Sequence, residues 1–480
     1  MKKCLLYVLA VLMMVSSCAK SDLDFPVDDG INKDPGPGST ATNDTIGVHP
    51  FLGSKYIMLT PKEQRLLYYA KEKGLYSFRA IALPEGDHPS RSVYPQEIQD
   101  VMFDFSNNNT FLGYPVSVEV GGNPFIVVER RVSENNVNEY SDGAFLTVNS
   151  NSKWELTDFF KYAPFGRFFM GTQPLIGKTD AGILAIKANI GVLLSDNNGQ
   201  HWSHHPKAFD ALDENDYAFM GANMAYHHKF GSLFFGTGSR KMKNDTVQAA
   251  ILEIDPGTGN VSERKTGWMA NIERSLVINE RDTVIQMPIA ETGPPVFYVV
   301  NPGKTPDLAA YDGYIVALSV FKEKIYQFVY ACQNGDSWDD AKFISAQTTI
   351  TGSLSRQSPP GIIYNPVTRR FEMIQSNPYE LSLYSISVED LLNSRLNEYG
   401  RAQWTKEVSL LQRNTSVRGQ GMYPVSSMVD TQKGVQRVFI SFGDEYPGRS
   451  GIFELTRTLK TSELSDFVKQ KRSFIESQPF

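Results

Sequence analysis

Short apolar or alternating runs, separated by turn residues, recur along the chain from about residue 51. Representative runs span residues 125–128, 182–186, 232–235, 296–300 and 438–442. Turn sequences such as Asp255-Pro-Gly and Asn301-Pro-Gly lie between such runs. Runs of this length, bounded by Gly, Pro and Asn, are typical of β-strands. The repeated strand–turn rhythm therefore predicts an all-β body whose strands are joined in sequence.

Helical periodicity is scarce by comparison. Residues 387–396 (SVEDLLNSRL) predict one short helix with a serine at its N-cap, and residues 462–477 predict a short C-terminal helix. Glu129-Arg130-Arg131 follows an apolar run and is interpreted as a surface charge group.

The N-terminus has the features of a secretory signal. Lys2 and Lys3 precede an apolar run at 4–15, which is shorter than the roughly twenty residues that span a bilayer. The following Val15-Ser-Ser-Cys18 resembles a bacterial lipobox, in which the cysteine is acylated and becomes the new N-terminus. This resemblance implies a signal peptide at 1–17 and a lipid anchor on Cys18. An ordinary signal peptide with a coincidental cysteine is the alternative.

Residues 18–50 are rich in Asp, Pro and Gly and lack apolar periodicity, so we expect a flexible tether ahead of a folded body at 51–480. Four early acidic residues resemble the export signal of surface lipoproteins in Gram-negative glycan-utilisation systems: Asp22, Asp24, Asp28 and Asp29. The resemblance implies a lipid-anchored protein of the outer membrane, exposed at the cell surface, with the periplasmic face as the alternative.

Composition narrows the range of partners. The chain has 47 Lys+Arg against 53 Asp+Glu, a net charge of -6, and no basic run, which excludes nucleic acid as an expected partner. The 41% hydrophobic fraction is ample for a large core. Cys332 is the only cysteine after residue 18. We therefore expect no intramolecular disulfide, and a buried thiol rather than a nucleophile.

The tryptophans are regularly spaced. They occur at 154, 202, 268, 338 and 404, with spacings of 48, 66, 70 and 66 residues. The octet Ser195–Trp202 resembles the Asp-box of sialidase-like propellers (Ser/Thr-x-Asp-x-Gly-x-x-Trp), with Asn197 in place of the Asp. Weaker copies end at Trp154 and Trp338. In such a box the Asx side chain caps a tight turn, the glycine adopts positive φ, and the Trp packs between neighbouring sheets.

The resemblance implies a bacterial surface lipoprotein with a sialidase-like β-propeller. At about 68 residues per blade, residues 51–480 would form roughly six blades, with seven as a possibility and a pair of β-sandwiches as the structural alternative. The residues expected to have a structural box role are Ser195, Asn197, Gly199, Trp202, Trp154, Gly335 and Trp338.

Some catalytic marks of sialidases are also present. Phe78-Arg79-Ala-Ile resembles the Phe/Tyr-Arg-Ile-Pro element whose Arg binds the substrate carboxylate, although the Pro is absent. Tyr423 falls at the position of the nucleophile in the last blade, and Arg356 and Arg418 are candidates for a further arginine. Three guanidinium groups can hold one carboxylate, and a Tyr nucleophile suits an anionic sugar. The family's acid/base Asp and activating Glu have no assigned counterpart. Alternatively, Arg79 is an exposed strand residue and Tyr423 a core residue.

Other chemistry has little support. Five of the seven histidines are concentrated at 201, 204, 205, 227 and 228, but their spacing matches no zinc pattern, so no metal site is predicted. The sequence contains no phosphate-binding loop, dinucleotide fingerprint or Ser nucleophile elbow, so no cofactor is expected.

Two functions remain from different classes. The favoured one is a lipid-anchored surface propeller that binds a glycan, or a partner in an outer-membrane complex. The alternative is an exo-acting glycoside hydrolase of sialidase type. Fold resemblance alone does not separate them, because propellers host many functions.

Overall fold

The computed structural model describes the backbone of residues 46–48, 55–58, 66–70, 74–84, 103–105, 110–134, 137–148, 154–158, 174–188, 191–210, 217–218, 222–236, 239–240, 250–266, 294–321, 324–332, 342–351, 360–366, 368–376, 380–393, 404–412, 421–430, 435–444 and 449–458. Several predictions lie outside these residues: the signal peptide, Cys18, nearly all of the tether, Arg356, Arg418, Gly335, Trp338 and the C-terminal helix.

The described part of the chain consists mainly of β-strands. The strands before residue 150 are β1 (Ile46–Val48), β2 (Lys55–Met58), β3 (Leu66–Ala70), β4 (Gly74–Pro84), β5 (Phe103–Phe105), β6 (Thr110–Val120), β7 (Asn123–Glu134) and β8 (Val137–Val148). The next are β9 (Trp154–Asp158), β10 (Leu175–Lys178), β11 (Leu184–Ala188), β12 (Gly191–Ser195), β13 (Ser203–His205), β14 (Tyr217–Ala218), β15 (Ala225–His227), β16 (Ser232–Gly236), β17 (Ser239–Arg240), β18 (Ala250–Ile254) and β19 (Val261–Thr266). The last are β20 (Val296–Val299), β21 (Ile315–Phe321), β22 (Lys324–Ala331), β23 (Lys342–Thr351), β24 (Gly361–Asn365), β25 (Arg370–Ser376), β26 (Glu380–Ser387), β27 (Thr405–Gln412), β28 (Gly421–Asp430), β29 (Val435–Asp444) and β30 (Arg449–Thr458).

Five groups of four antiparallel strands form blades in chain order. Blade 1 is β6–β9, blade 2 is β10–β13, blade 3 is β15, β16, β18 and β19, blade 4 is β20–β23, and blade 5 is β24–β27. β14 and β17 form a separate two-stranded sheet. Each blade is a meander, as the strand–turn rhythm predicts.

The first strands of the blades lie side by side. β6 neighbours β10, and the series continues through β15, β20 and β24 to β28, which returns to β6. This closed ring of innermost strands makes the fold a β-propeller and excludes the pair of sandwiches. The all-β propeller prediction is confirmed.

The ring is closed by strands from both ends of the chain. β28, β29 and β30 form an antiparallel meander, and β4 pairs with the free side of β30, with Arg79 opposite Glu454. We call these four strands the closing sheet. β3, β2 and β1 continue the pairing outward from β4, and one bridge between β30 and β6 joins the closing sheet to blade 1 in a twelve-stranded sheet.

The blade count differs from the prediction. Five four-stranded blades follow one another in chain order, whereas the sequence predicts six, with seven as the alternative. The physical reason is the closing sheet, whose fourth strand comes from the opposite end of the chain and whose pairing continues into a larger sheet.

Side chains on both faces of each blade contribute to the hydrophobic core. Strands such as β11, β12, β16 and β24 are buried at every position. They are covered by a neighbouring blade on each side, so their sequences are apolar runs rather than alternating patterns. One core cluster joins blades 1, 2 and 3, and a second joins blades 4 and 5.

Helices are short in this part of the chain. The predicted helix at 387–396 is observed as α1 (Val388–Leu392), and the N-cap Ser387 Oγ accepts a hydrogen bond from Asp390 N at 3.0 Å. A 3₁₀ helix spans Pro306–Tyr311. None of the helices among the described residues has the length and apolarity needed to cross a membrane.

Candidate functional site

The octet Ser195–Trp202 forms the turn between β12 and β13. Ser195 Oγ accepts a hydrogen bond from Gly199 N at 2.9 Å and donates one to Asn197 Oδ1 at 2.9 Å. The same Oδ1 accepts from His201 N, and Gly199 has a φ of +81°. The Asn side chain therefore caps this turn in the way expected of an Asp.

The three tryptophans among the described residues each connect a blade to the preceding one. Trp202 Nε1 donates to Gly199 O at 2.9 Å, and its ring lies 5.9 Å from Phe125 and 6.0 Å from Phe145 of blade 1. Trp154 of blade 1 makes an edge contact with Phe439 of the closing sheet at 6.2 Å. Trp404 of blade 5, which lacks a box, donates to Gln327 Oε1 of blade 4 at 2.9 Å. The spacing of the Trp residues thus marks contacts between blades.

The segment between β20 and β21, which we call the 300–314 loop, lies at one end of the inner ring. The two ends of the loop are joined by backbone hydrogen bonds: Val300 N donates to Tyr314 O, and Gly313 N donates to Val300 O. Asn301 and Lys304 contact Asp180 of blade 2 at 2.9 Å and 2.8 Å. Blade 3 lies between blades 2 and 4 in the ring, so the loop passes over the end of blade 3.

The loop also contacts the blades on either side. The Asp312 carboxylate lies within hydrogen-bond distance of His228 Nε2 at 2.6 Å and forms an ion pair with Lys229 Nζ at 3.2 Å, both in blade 3. Asp307 lies 3.8 Å from Arg369 Nε in blade 5. Burial acts to raise the pKa of Asp180, yet the hydrogen bond and charge of Lys304 hold it below its ordinary value. The loop therefore ties blades 2, 3 and 5 to blade 4.

His227 is buried beneath this loop. Its Nε2 lies 3.1 Å from Gly313 O, and its Nδ1 accepts from Lys229 N and Phe230 N at 3.3 Å and 3.4 Å. Nε2 must therefore carry the ring proton. Burial lowers the pKa of His227 to about 4, so the imidazole is neutral at pH 7.

At the opposite end of the ring, β6 and β28 share a sequence and an irregularity. Tyr114-Pro-Val-Ser in β6 recurs as Tyr423-Pro-Val-Ser in β28. The strand register shifts between Gly113 and Val116 in the first case and between Met422 and Val425 in the second. Tyr114 is buried and has a φ of +52°. The repeat was visible in the sequence and was not used there.

The predicted pair Arg79 and Tyr423 lies within one sheet. Tyr423 belongs to β28, the innermost strand of the closing sheet, whereas Arg79 belongs to β4, the fourth. β29 and β30 separate them, which places their backbones about 14 Å apart across the strands. This strand order counts against a pocket shared by the two residues.

A buried pair of opposite charges lies near the bulge in β6. Glu129, interpreted from the sequence as a surface group, is fully buried opposite Gly113 in the ladder, which corrects that interpretation. Lys187 of blade 2 is also fully buried, opposite Leu175 at the start of β10. Burial lowers the pKa of Lys187 to about 7, against the opposing effect of the charge on Glu129.

The histidines are divided between two blades. His204 and His205 lie in β13 of blade 2, next to the turn that holds His201, whereas His227 and His228 lie in blade 3. Across the described ranges, no group of three or more His, Cys, Asp or Glu side chains is arranged to hold a metal ion.

No family model matches the chain, and no curated protein matches it. Among solved structures, a Trypanosoma rangeli sialidase in complex with the inhibitor DANA has a TM-score of 0.44 at 10% identity, covering 83% of this chain and 61% of that one. A β-1,2-mannobiose phosphorylase from Listeria innocua has a TM-score of 0.34 at 10% identity, covering 77% and 95%. A fructofuranosidase from Schwanniomyces occidentalis has a TM-score of 0.37 at 9% identity, covering 73% and 57%. The chain spans about three fifths of the length of that sialidase. Similarity at this level does not assign an activity.

Proposed function

We propose that this protein is a six-bladed, lipid-anchored propeller that captures a glycan at the bacterial cell surface without cleaving it. Its lipid is carried by Cys18, and residues 18–50 act as the tether. The resemblance of the N-terminal region to surface lipoproteins of glycan-utilisation systems supports the location and the ligand class.

The position of Arg79 is the observation that favours binding over catalysis. A sialidase-type site needs the arginine and the tyrosine around one substrate, but Arg79 is on the fourth strand of the closing sheet, three strands away from β28, which contains Tyr423. The buried Tyr114 offers a structural explanation for Tyr423, because both follow from one Tyr-Pro-Val-Ser repeat in neighbouring inner strands.

The closing sheet supports the count of six. It has four antiparallel strands, β28 occupies an inner position between β24 and β6, and Trp154 of blade 1 contacts Phe439 in its second strand. These are the features of the other blades. The sheet differs in taking its fourth strand from the N-terminal part of the chain and in continuing outward into β3, β2 and β1.

Glycan capture and turnover can be measured on the same preparation. We expect the mature chain to be retarded in affinity gels that contain a cognate polysaccharide, and to release no fluorophore from a 4-methylumbelliferyl sialoside. If no polysaccharide of a broad panel retards the protein, the proposal that it captures a glycan is wrong.

The tyrosine repeat provides a matched control for the enzyme alternative. If the wild type does hydrolyse the sialoside, and Tyr423→Phe abolishes hydrolysis while Tyr114→Phe retains it, Tyr423 is a nucleophile and the binding proposal is wrong. Circular dichroism of both variants would verify that they are folded.

For the anchor, we expect Cys18→Ala to move the protein from the membrane to the soluble fraction without unfolding it. The reason is that acyl chains, at about 0.8 kcal/mol per buried CH₂, hold a protein on a membrane independently of its fold. Mass spectrometry of the wild-type N-terminus should show a diacylated or triacylated Cys18. An unmodified N-terminus or a retained signal peptide would overturn this assignment.

A further inference from the structure

We propose that the 300–314 loop is an acid-released strap, which protonation of His227 detaches from blade 3 so that Cys332 becomes accessible. The inference is independent of the proposed function, because it concerns the end of the ring opposite the Tyr-Pro bulges.

The strap is held on blade 3 by three side chains in sequence. His227 Nε2 donates to Gly313 O, His228 and Lys229 pair with the Asp312 carboxylate, and Lys229 Nζ also donates to Asp312 O at 3.0 Å. Lys229 Nζ also donates a hydrogen bond to the backbone oxygen of Cys332 at 3.0 Å. The strap, the blade 3 turn and Cys332 are thus a single connected unit.

The hydrogen bonds of His227 leave no place for a second ring proton. Its Nδ1 faces two N–H donors, from Lys229 and Phe230, and a proton on Nδ1 would turn both contacts into donor–donor clashes. The Phe230 ring is stacked on the imidazole with a centroid distance of 3.7 Å, and the His228 ring is parallel to it at 5.4 Å.

The charged groups around His227 have opposite effects on its pKa. His228 and Lys229, from the same turn, disfavour a second positive charge, whereas Asp312, from the strap, favours it. Asp312 is itself engaged: burial acts to raise its pKa, but hydrogen bonds from His228 and Lys229 hold that pKa below the usual value.

The direction of the pH effect follows from the two states. With the strap closed the pKa of His227 is about 4, and once it is released the imidazole regains the ordinary value of about 6.5. The released state then binds the proton more tightly, so its population grows as pH falls below about 6.5 and stops growing below about 4. Between pH 7 and pH 5 the expected increase is about 20-fold.

Cys332 reports the release directly. Its side chain is fully buried, and it is the only cysteine beyond residue 18, so in the Cys18→Ala mature chain it is the only thiol. We expect the rate of its reaction with 4,4′-dithiodipyridine, divided by that of a small model thiol, to rise about 20-fold from pH 7 to pH 5. Tryptophan fluorescence should show that the propeller stays folded at both values.

Variants separate the strap from general acid effects. His227→Gln should reduce the acid response to less than about 3-fold, because the titrating group is gone, whereas His201→Gln, in an exposed turn of blade 2, should retain the full response. Asp312→Asn should increase labelling already at pH 7, since it removes the ion pair to Lys229 and the carboxylate that contacts His228 Nε2.

Two outcomes would overturn the proposal. One is a normalised labelling rate of the wild type that does not change between pH 7 and pH 5, and the other is an unchanged acid response in His227→Gln. If that variant does not fold, hydrogen exchange of the wild-type amides at 300–314 decides: equal protection at both pH values, after correction for intrinsic exchange rates, would refute the strap.

Discussion

Trp202→Ala is expected to lower the free energy of unfolding by about 3 kcal/mol, the low end of the usual cost of truncating a core aromatic, because the ring is only partly buried. The ring fills the space between blades 1 and 2, against Phe125 and Phe145, and its Nε1 donates to Gly199 O. The alanine would leave a cavity between the blades and remove a hydrogen bond of the turn. Equilibrium urea denaturation, followed by circular dichroism, measures the difference.

Gly199→Val tests the same turn from the other side. A Cβ at Gly199 would lie 2.7 Å from Phe125 Cε2, and the φ of +81° is one that valine resists. We expect clear destabilisation here too, and a smaller loss for the control Trp202→Phe, which keeps an aromatic ring in place. Unchanged urea midpoints for Trp202→Ala and Gly199→Val would mean that the turn does not join the blades.

The buried pair Glu129 and Lys187 gives the second large effect. Lys187→Met alone should destabilise the protein at pH 7, because it leaves Glu129 buried without this positive partner. The loss should be less than the roughly 3–5 kcal/mol that breaking a fully charged buried pair costs, because the amine is already about half neutral at that pH. The double variant Lys187→Met/Glu129→Gln should recover most of that loss or exceed the wild type, since both desolvation penalties disappear. A double variant less stable than the single one would contradict this account.

Stability of the wild type should also depend on pH through Lys187. Its pKa is about 7 in the folded state and about 10.4 in the unfolded state, so the unfolded chain binds more protons between these values. The contribution of Lys187 to stability therefore rises with pH across this window, by about 4–5 kcal/mol in total. The stability difference between the wild type and the double variant, measured at pH 7 and pH 10, isolates this contribution.

The features that could be predicted from the sequence are those with local causes. The strand rhythm depends on turn residues next to each run, the Ser195–Trp202 turn is held by its own side chains, and the helix after Ser387 begins at its own cap. Each of these patterns can be recognised within about ten residues of sequence.

The features that could not be predicted depend on pairing between distant segments. No local pattern indicates that β4 joins β30, and this pairing is what completes the closing sheet and places Arg79 in its fourth strand. The charge of Glu129 likewise acts on Lys187 in another blade, and the 300–314 loop contacts Asp180, more than a hundred residues earlier in the chain.

The pairing of β4 with β30 has a consequence for how the protein is made. Translation delivers the N-terminal end first, so β4 must wait for β30 until nearly all of this sequence has been synthesised. In that interval one side of β4 has main-chain groups without a ladder, a state in which strands associate with other chains. Closure over so long a sequence separation also slows folding. Chaperones that shield open strand edges would therefore act on this protein mainly before its last strands arrive.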